Sequence, residues 1–98
     1  MNLLDLASYG PRRHVQLIAD HPEARLVLFS LSQGQEVSGS GEPRVFLLCL
    51  EGEGELWAGN ERRKVGPGEL LACEPGKPHG AKATGERFLV LGIITPRP

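Results

Sequence analysis

Apolar positions along this chain fall in short runs separated by turn-forming residues, and the runs keep a period of two. The alternation is cleanest in Arg25-Leu26-Val27-Leu28-Phe29-Ser30-Leu31, where successive side chains fall on opposite faces of a strand. It nearly vanishes in Val45-Phe46-Leu47-Leu48-Cys49-Leu50 and in residues 88–94. Strands of that kind are covered on both faces, one by a barrel lumen and the other by a second sheet or subunit. No stretch carries the spacing of an amphipathic helix.

Gly and Pro recur about every eight to twelve positions between these runs, the rhythm of turns in an all-β chain. The pattern predicts strands over 13–19, 24–32, 44–50, 54–58, 61–65, 69–74, 79–83 and 87–94. Residues 1–98 are expected to form a single domain, a small antiparallel β-barrel over 13–94 with an arm at 1–12 and a tail at 95–98. Gly59-Asn60 predicts a two-residue hairpin, since both residue types accept positive φ.

Composition narrows the function classes. With 98 residues the chain is too short for two cores. Eleven Lys and Arg against twelve Asp and Glu leave a net charge of -1, so no overall field attracts nucleic acid or an anionic membrane. The longest apolar run is six residues, Val45–Leu50, whereas a spanning helix needs about 20. Met1–Leu6 contains Asp5 and lacks the basic start and apolar stretch of a secretory signal; the expected location is cytoplasmic. Cys49 and Cys73 lack the C-x-x-C spacing of a zinc or redox pair and are expected to be buried, reduced thiols.

Two segments carry a resemblance. Leu50-Glu51-Gly52-Glu53-Gly54-Glu55-Leu56 and Gly68-Glu69-Leu70-Leu71-Ala72-Cys73-Glu74-Pro75-Gly76-Lys77-Pro78-His79 resemble, in order and spacing, the two motifs of small single-domain cupins. The resemblance covers about residues 26 to 94 and implies a double-stranded β-helix, or jelly roll. It also implies a divalent metal held by two histidines and a glutamate of the first motif and one histidine of the second. Counting back from Gly52 puts the glutamate position at Val45 and the histidine positions at Gly39 and Gly41, or at Ser38 and Ser40. Counting forward from Gly34 gives Ser40 and Glu42. No register supplies a histidine, so only His79 matches, and one imidazole does not hold a transition metal tightly.

The first functional reading is therefore a small cupin with a degenerate metal site. It binds a small molecule in the barrel with no cofactor, acts as a homodimer and takes no nucleic acid or membrane partner. The pocket is expected to involve His79, Cys49, Leu47, Val45 and Trp57, with Val45, Leu47 and Cys49 inward by alternation. A second reading is a cupin enzyme of isomerase, epimerase or dioxygenase type, with a metal on His79, Cys49 and Glu42 or Glu74. A third is a non-catalytic oligomerising module. His79 itself reads as a structural histidine, a ligand contact or a lone metal donor, and Trp57 as packing or pocket lining. His14 and His21 read as surface residues. Arg62-Arg63-Lys64 pairs across the hairpin with Glu51, Glu53 and Glu55.

Overall fold

The computed structural model describes residues 1–96. A short 3-10 turn at Leu3–Leu6, capped by the Asn2 side chain, precedes seven strands. These are β1 (His14–His21), β2 (Ala24–Ser32), β3 (Glu36–Gly39), β4 (Arg44–Ala58), β5 (Glu61–Val65), β6 (Leu70–Cys73) and β7 (His79–Thr95). Every pairing is antiparallel. The fold is the double-stranded β-helix that the turn rhythm and the two motifs anticipate.

Two long strands organise it. β4 and β7 pair along almost their whole lengths, and their register shifts between Cys49 and Glu51 and again between Gly52 and Gly54. Such bulges bend the strands. Residues 44–52 thus pair with β6 and the C-terminal part of β7, whereas residues 54–58 pair with β5 and the N-terminal part of β7. β2 and β1 extend the first layer and β3 the second. Gly52 makes the bend feasible: its φ is +81°, and a Cβ there would run into the Arg87 carbonyl.

Between the layers lie Leu31, Val45, Leu47, Cys49, Leu56, Val65, Leu71, Cys73, Ala81, Ala83, Phe88 and Val90, all buried. Each of the larger ones contributes roughly 1.5–3 kcal/mol by leaving water. Leu28 and Leu89 are also fully buried, although their parity puts them outside the barrel. The N-terminal arm accounts for this by crossing that face. Ser8 N donates to Ser30 Oγ at 3.0 Å, Ser32 Oγ and Gln35 Nε2 donate to the Gly10 carbonyl, and Tyr9 Oη donates to Glu51 Oε1 at 2.7 Å. Burial, then the hydrogen bond to Glu51, raises the Tyr9 pKa.

Several local expectations change. The breaks expected at Gly52 and at Thr84-Gly85 are bends within continuous strands, because bulges absorb the glycines. The segment between the strands expected over 24–32 and 44–50, for which the pattern predicts no strand, contains β3, whose order comes from pairing with residues 79–82 of β7. The tail expected over 95–98 gives up Thr95 to β7, and residues 97–98 lie outside the described residues. The Gly59-Asn60 hairpin forms as read, with positive φ at Gly59 alone, the requirement of a II′ turn. The basic run is paired more locally than read: Arg62 reaches Glu55 at 3.9 Å, but Arg63 takes Glu61 at 3.0 Å and Glu51 is engaged by Tyr9.

Candidate functional site

Both ends of β4 meet at one end of the barrel, Val45 from one layer and Ala58 from the other, and His79 is the register partner of both Ala58 and Gly39. The Pro75-Gly76 turn sets the histidine there. Gly76 N donates to the Gly41 carbonyl at 2.6 Å and Gly59 N to the Pro78 carbonyl at 2.7 Å, which fixes the segment entering β7 from two sides.

At this end the barrel is open. A cavity of about 620 Å³ is lined by residues 39–43, Val45, His79, Ile94 and Pro96. Val45, His79 and Ile94 also border a deeper void of about 80 Å³ among Phe29, Val37, Leu47 and Gly92. The two share Val45, His79 and Ile94 as a common wall. A separate depression of about 470 Å³ lies between the hairpin tip and the Pro-Gly turn and is lined by Glu61, Glu74 and Lys77 among others. His79 is not among its lining residues.

His79 is half-buried, and among the described residues its ring has no hydrogen-bond or ion-pair partner. The ring lies against Gly39: a Cβ on Gly39 would stand 3.4 Å from His79 Nε2. Gly39, one of the positions that counting back from Gly52 gives for a family histidine, thus faces the retained histidine across the sheet.

Of the five residues expected to line a pocket, the structure brings together His79, Val45 and Leu47. Cys49 shares their wall but sits deeper, fully buried, its Sγ 3.6 Å from the Glu51 carbonyl. Trp57 is elsewhere. Leu56 points into the core, so its neighbour projects outside, where Trp57 lies across Gly80 with the Arg62 guanidinium 4.3 Å above its ring. His14 and His21 are exposed. The lining residues that sequence reasoning missed are Phe29, Val37, Pro43, Gly80, Gly92, Ile94 and Pro96, whereas Gly39, Ser40, Gly41 and Glu42 entered it only as candidate ligand positions. Phe29 and Ile94 carried a signal, since they share parity with the inward residues of their strands.

The donor set does not fit a metal ion. Among the described residues no three His, Cys, Asp or Glu side chains are grouped so as to hold one. Gly39 and Val45, positions at which the resemblance implies ligands, carry no donor side chain; Glu42 shares the lining with His79 but Glu74 lines the other depression. Cys49 is a poor donor for a further reason. Burial pushes its thiol, like that of Cys73, up to about 11, away from the thiolate that metals bind.

Comparisons with known proteins agree with this geometry. No curated protein matches the chain. TT1209 from Thermus thermophilus is 26% identical, with a TM-score of 0.93 over 100% of this chain and 97% of that one. An RmlC-like cupin protein from Desulfovibrio desulfuricans is 29% identical, with a TM-score of 0.77 over 87% and 83%. A cupin 2 conserved barrel domain protein from Leptotrichia buccalis is 21% identical, with a TM-score of 0.87 over 97% of this chain and 47% of that one. The family model for the cupin domain matches residues 28–94, the span that carries both motifs, the bent strands and the cavity, and the chain belongs to the Cupin_2 family.

Proposed function

We propose that this protein is a cytoplasmic, homodimeric cupin that binds a small organic molecule in the open end of its barrel without a tightly held metal. One observation carries the reading: His79 stands unpartnered among the described residues in a mostly apolar cavity with Ser40 and Glu42 at its exposed rim, beside Gly39 and Val45, where the resemblance implies metal ligands. Pockets of this construction hold ligands by apolar contact and orient them through few polar groups. The same fold hosts unrelated activities, so the reading rests on the site and not on the family.

The homodimer is supported by the outer face of the first layer. Leu26, Phe46 and Ile93 form one cross-strand row, and Leu48 and Leu70 begin the next. The first four are only half-buried and Leu70 is 47% exposed. A contiguous apolar strip of this kind is what a subunit contact covers.

Native mass spectrometry of the purified protein tests metal content and assembly together. The expected spectrum is a dimer with well under one metal ion per chain. A stoichiometric ion that disappears in His79→Ala overturns the metal-free reading, and a monomer overturns the homodimer.

A further inference from the structure

The cavity is one-sided in charge. Its mouth and walls are built from Pro43, Val45, Ile94 and Pro96, and its depth from Phe29, Val37 and Leu47. Among the described residues no Lys or Arg side chain lines either part. Of the basic residues on the segments that build it, Arg25, register partner of Ile94, holds Asp20 at 3.3 Å, Lys77 lines the separate depression, and Arg44, between Pro43 and Val45, lines neither part although its charge reaches Cys73. Among the lining residues the one carboxylate is Glu42, at the exposed rim.

We infer, on the reading that this cavity is the binding site, that its ligand is an uncharged apolar molecule with a single hydrogen-bonding group directed at His79, and that carboxylates and phosphates are excluded. An anion entering here would give up hydration against largely aliphatic walls with no Lys or Arg side chain among the described lining residues to replace it, a cost that burying an unpaired charge carries. It would also pass the Glu42 carboxylate. A neutral amide, hydroxyl or carbonyl loses far less, and an imidazole offers it both a donor and an acceptor. The depth admits the edge of a ring or an aliphatic branch, since Phe29 already fills the space above Gly92, a Cβ there coming within 3.0 Å of the Phe29 ring.

A matched series on one skeleton tests this at pH 7: 3-phenylpropanamide, 3-phenylpropanoate and 3-phenylpropylamine, each titrated into the full chain and followed by NMR at the His79 ring and the Val45 and Ile94 methyls. The amide is expected to shift all three residues, and the propanoate to bind at least about ten-fold more weakly, the factor that about 1.4 kcal/mol of unrecovered desolvation produces. The amine is expected to bind no more weakly than the propanoate, because it meets Glu42. Placing a cation at the rim with Glu42→Lys should close the gap between propanoate and amide.

The two ways of failing are separable. Propanoate binding at these residues as tightly as the amide overturns the ligand class and leaves the cavity as the site. No shift at these residues from any of the three overturns the site as well. Gly39→Ala provides the control for location. Gly39 has no positive φ and its new Cβ would stand 3.4 Å from His79 Nε2, so the fold tolerates it while amide binding weakens. Unchanged amide affinity in a folded Gly39→Ala protein counts against the assigned position.

Discussion

The two ends of this barrel are built from the same strands and differ in what fills them. At the bend, where β4 and β7 turn from one layer to the other, Cys49, Ala83 and Phe88 are at most 1% exposed, and the Phe88 ring rests where a side chain on Gly54 would be. At the other end Val45, Gly39, Ile94 and His79 surround open space. Small residues serve opposite purposes in the two places. Gly54 lacks a side chain so that an aromatic ring can occupy the site, whereas Gly39 leaves its site to whatever enters from outside. Close packing and open space thus lie at opposite ends of the same strands.

The largest effect that would break this contrast is Phe88→Ala. The ring is fully buried between the layers, and the glycine beneath it has nothing with which to refill the void. A loss of about 3–5 kcal/mol is expected, a large share of the roughly 5–15 kcal/mol of a whole domain, read as a lower midpoint in urea denaturation. A loss below about 1 kcal/mol would mean that the bend is as loosely filled as the mouth.

A second test uses the thiols, both buried, Cys49 beside the bend and Cys73 paired with Val45 toward the other end. Cys49 and Cys73 are 0% and 1% exposed, and burial raises both from an ordinary value of 9.0 to about 11. Because the folded pKa lies above the unfolded one, the native state keeps protons that the unfolded chain releases. Their contribution is therefore complete below about pH 9 and is lost as pH rises through about 11. Stability measured by urea denaturation should fall across that window in the native chain, and fall less steeply in Cys49→Ala/Cys73→Ala. Equal slopes in both proteins would show that water reaches both sulfurs, at the bend and behind the wall of the mouth alike.

The same contrast explains what can be read from the sequence. Period-two alternation reports a face, and it places Val45, Leu47 and Cys49 on one inward wall, where the structure has them. It does not report depth along the wall, so it groups Cys49 with a pocket that ends above it. Trp57 shows the opposite failure: its parity against Leu56 points outward, but an aromatic beside a motif invites a ligand role. β3 is unreadable because Glu36-Val37-Ser38-Gly39 offers one apolar side chain in four residues, and its order is supplied by β7. The mouth is unreadable for a related reason. Cavities are made by absent side chains, and a glycine in a chain with 13 of them is indistinguishable from a turn until its partner across the sheet is known.

The smallest expected effect is the most specific to the contrast. Gly39→Leu puts a branched side chain into the open end at a residue whose backbone lies in an ordinary region. Its nearest neighbours are the Nε2 and Cε1 atoms of His79, a ring that no hydrogen bond among the described residues holds in place. The added apolar surface covers Val45 and Ile94, and that gain opposes the strain of crowding. Stability should therefore change by less than about 1 kcal/mol in either direction, well under the roughly 1–3 kcal/mol typical of overpacking a filled core. A loss of overpacking size, measured in the same urea titration, would show that the space beside His79 is already filled in solution and that the barrel has two closed ends.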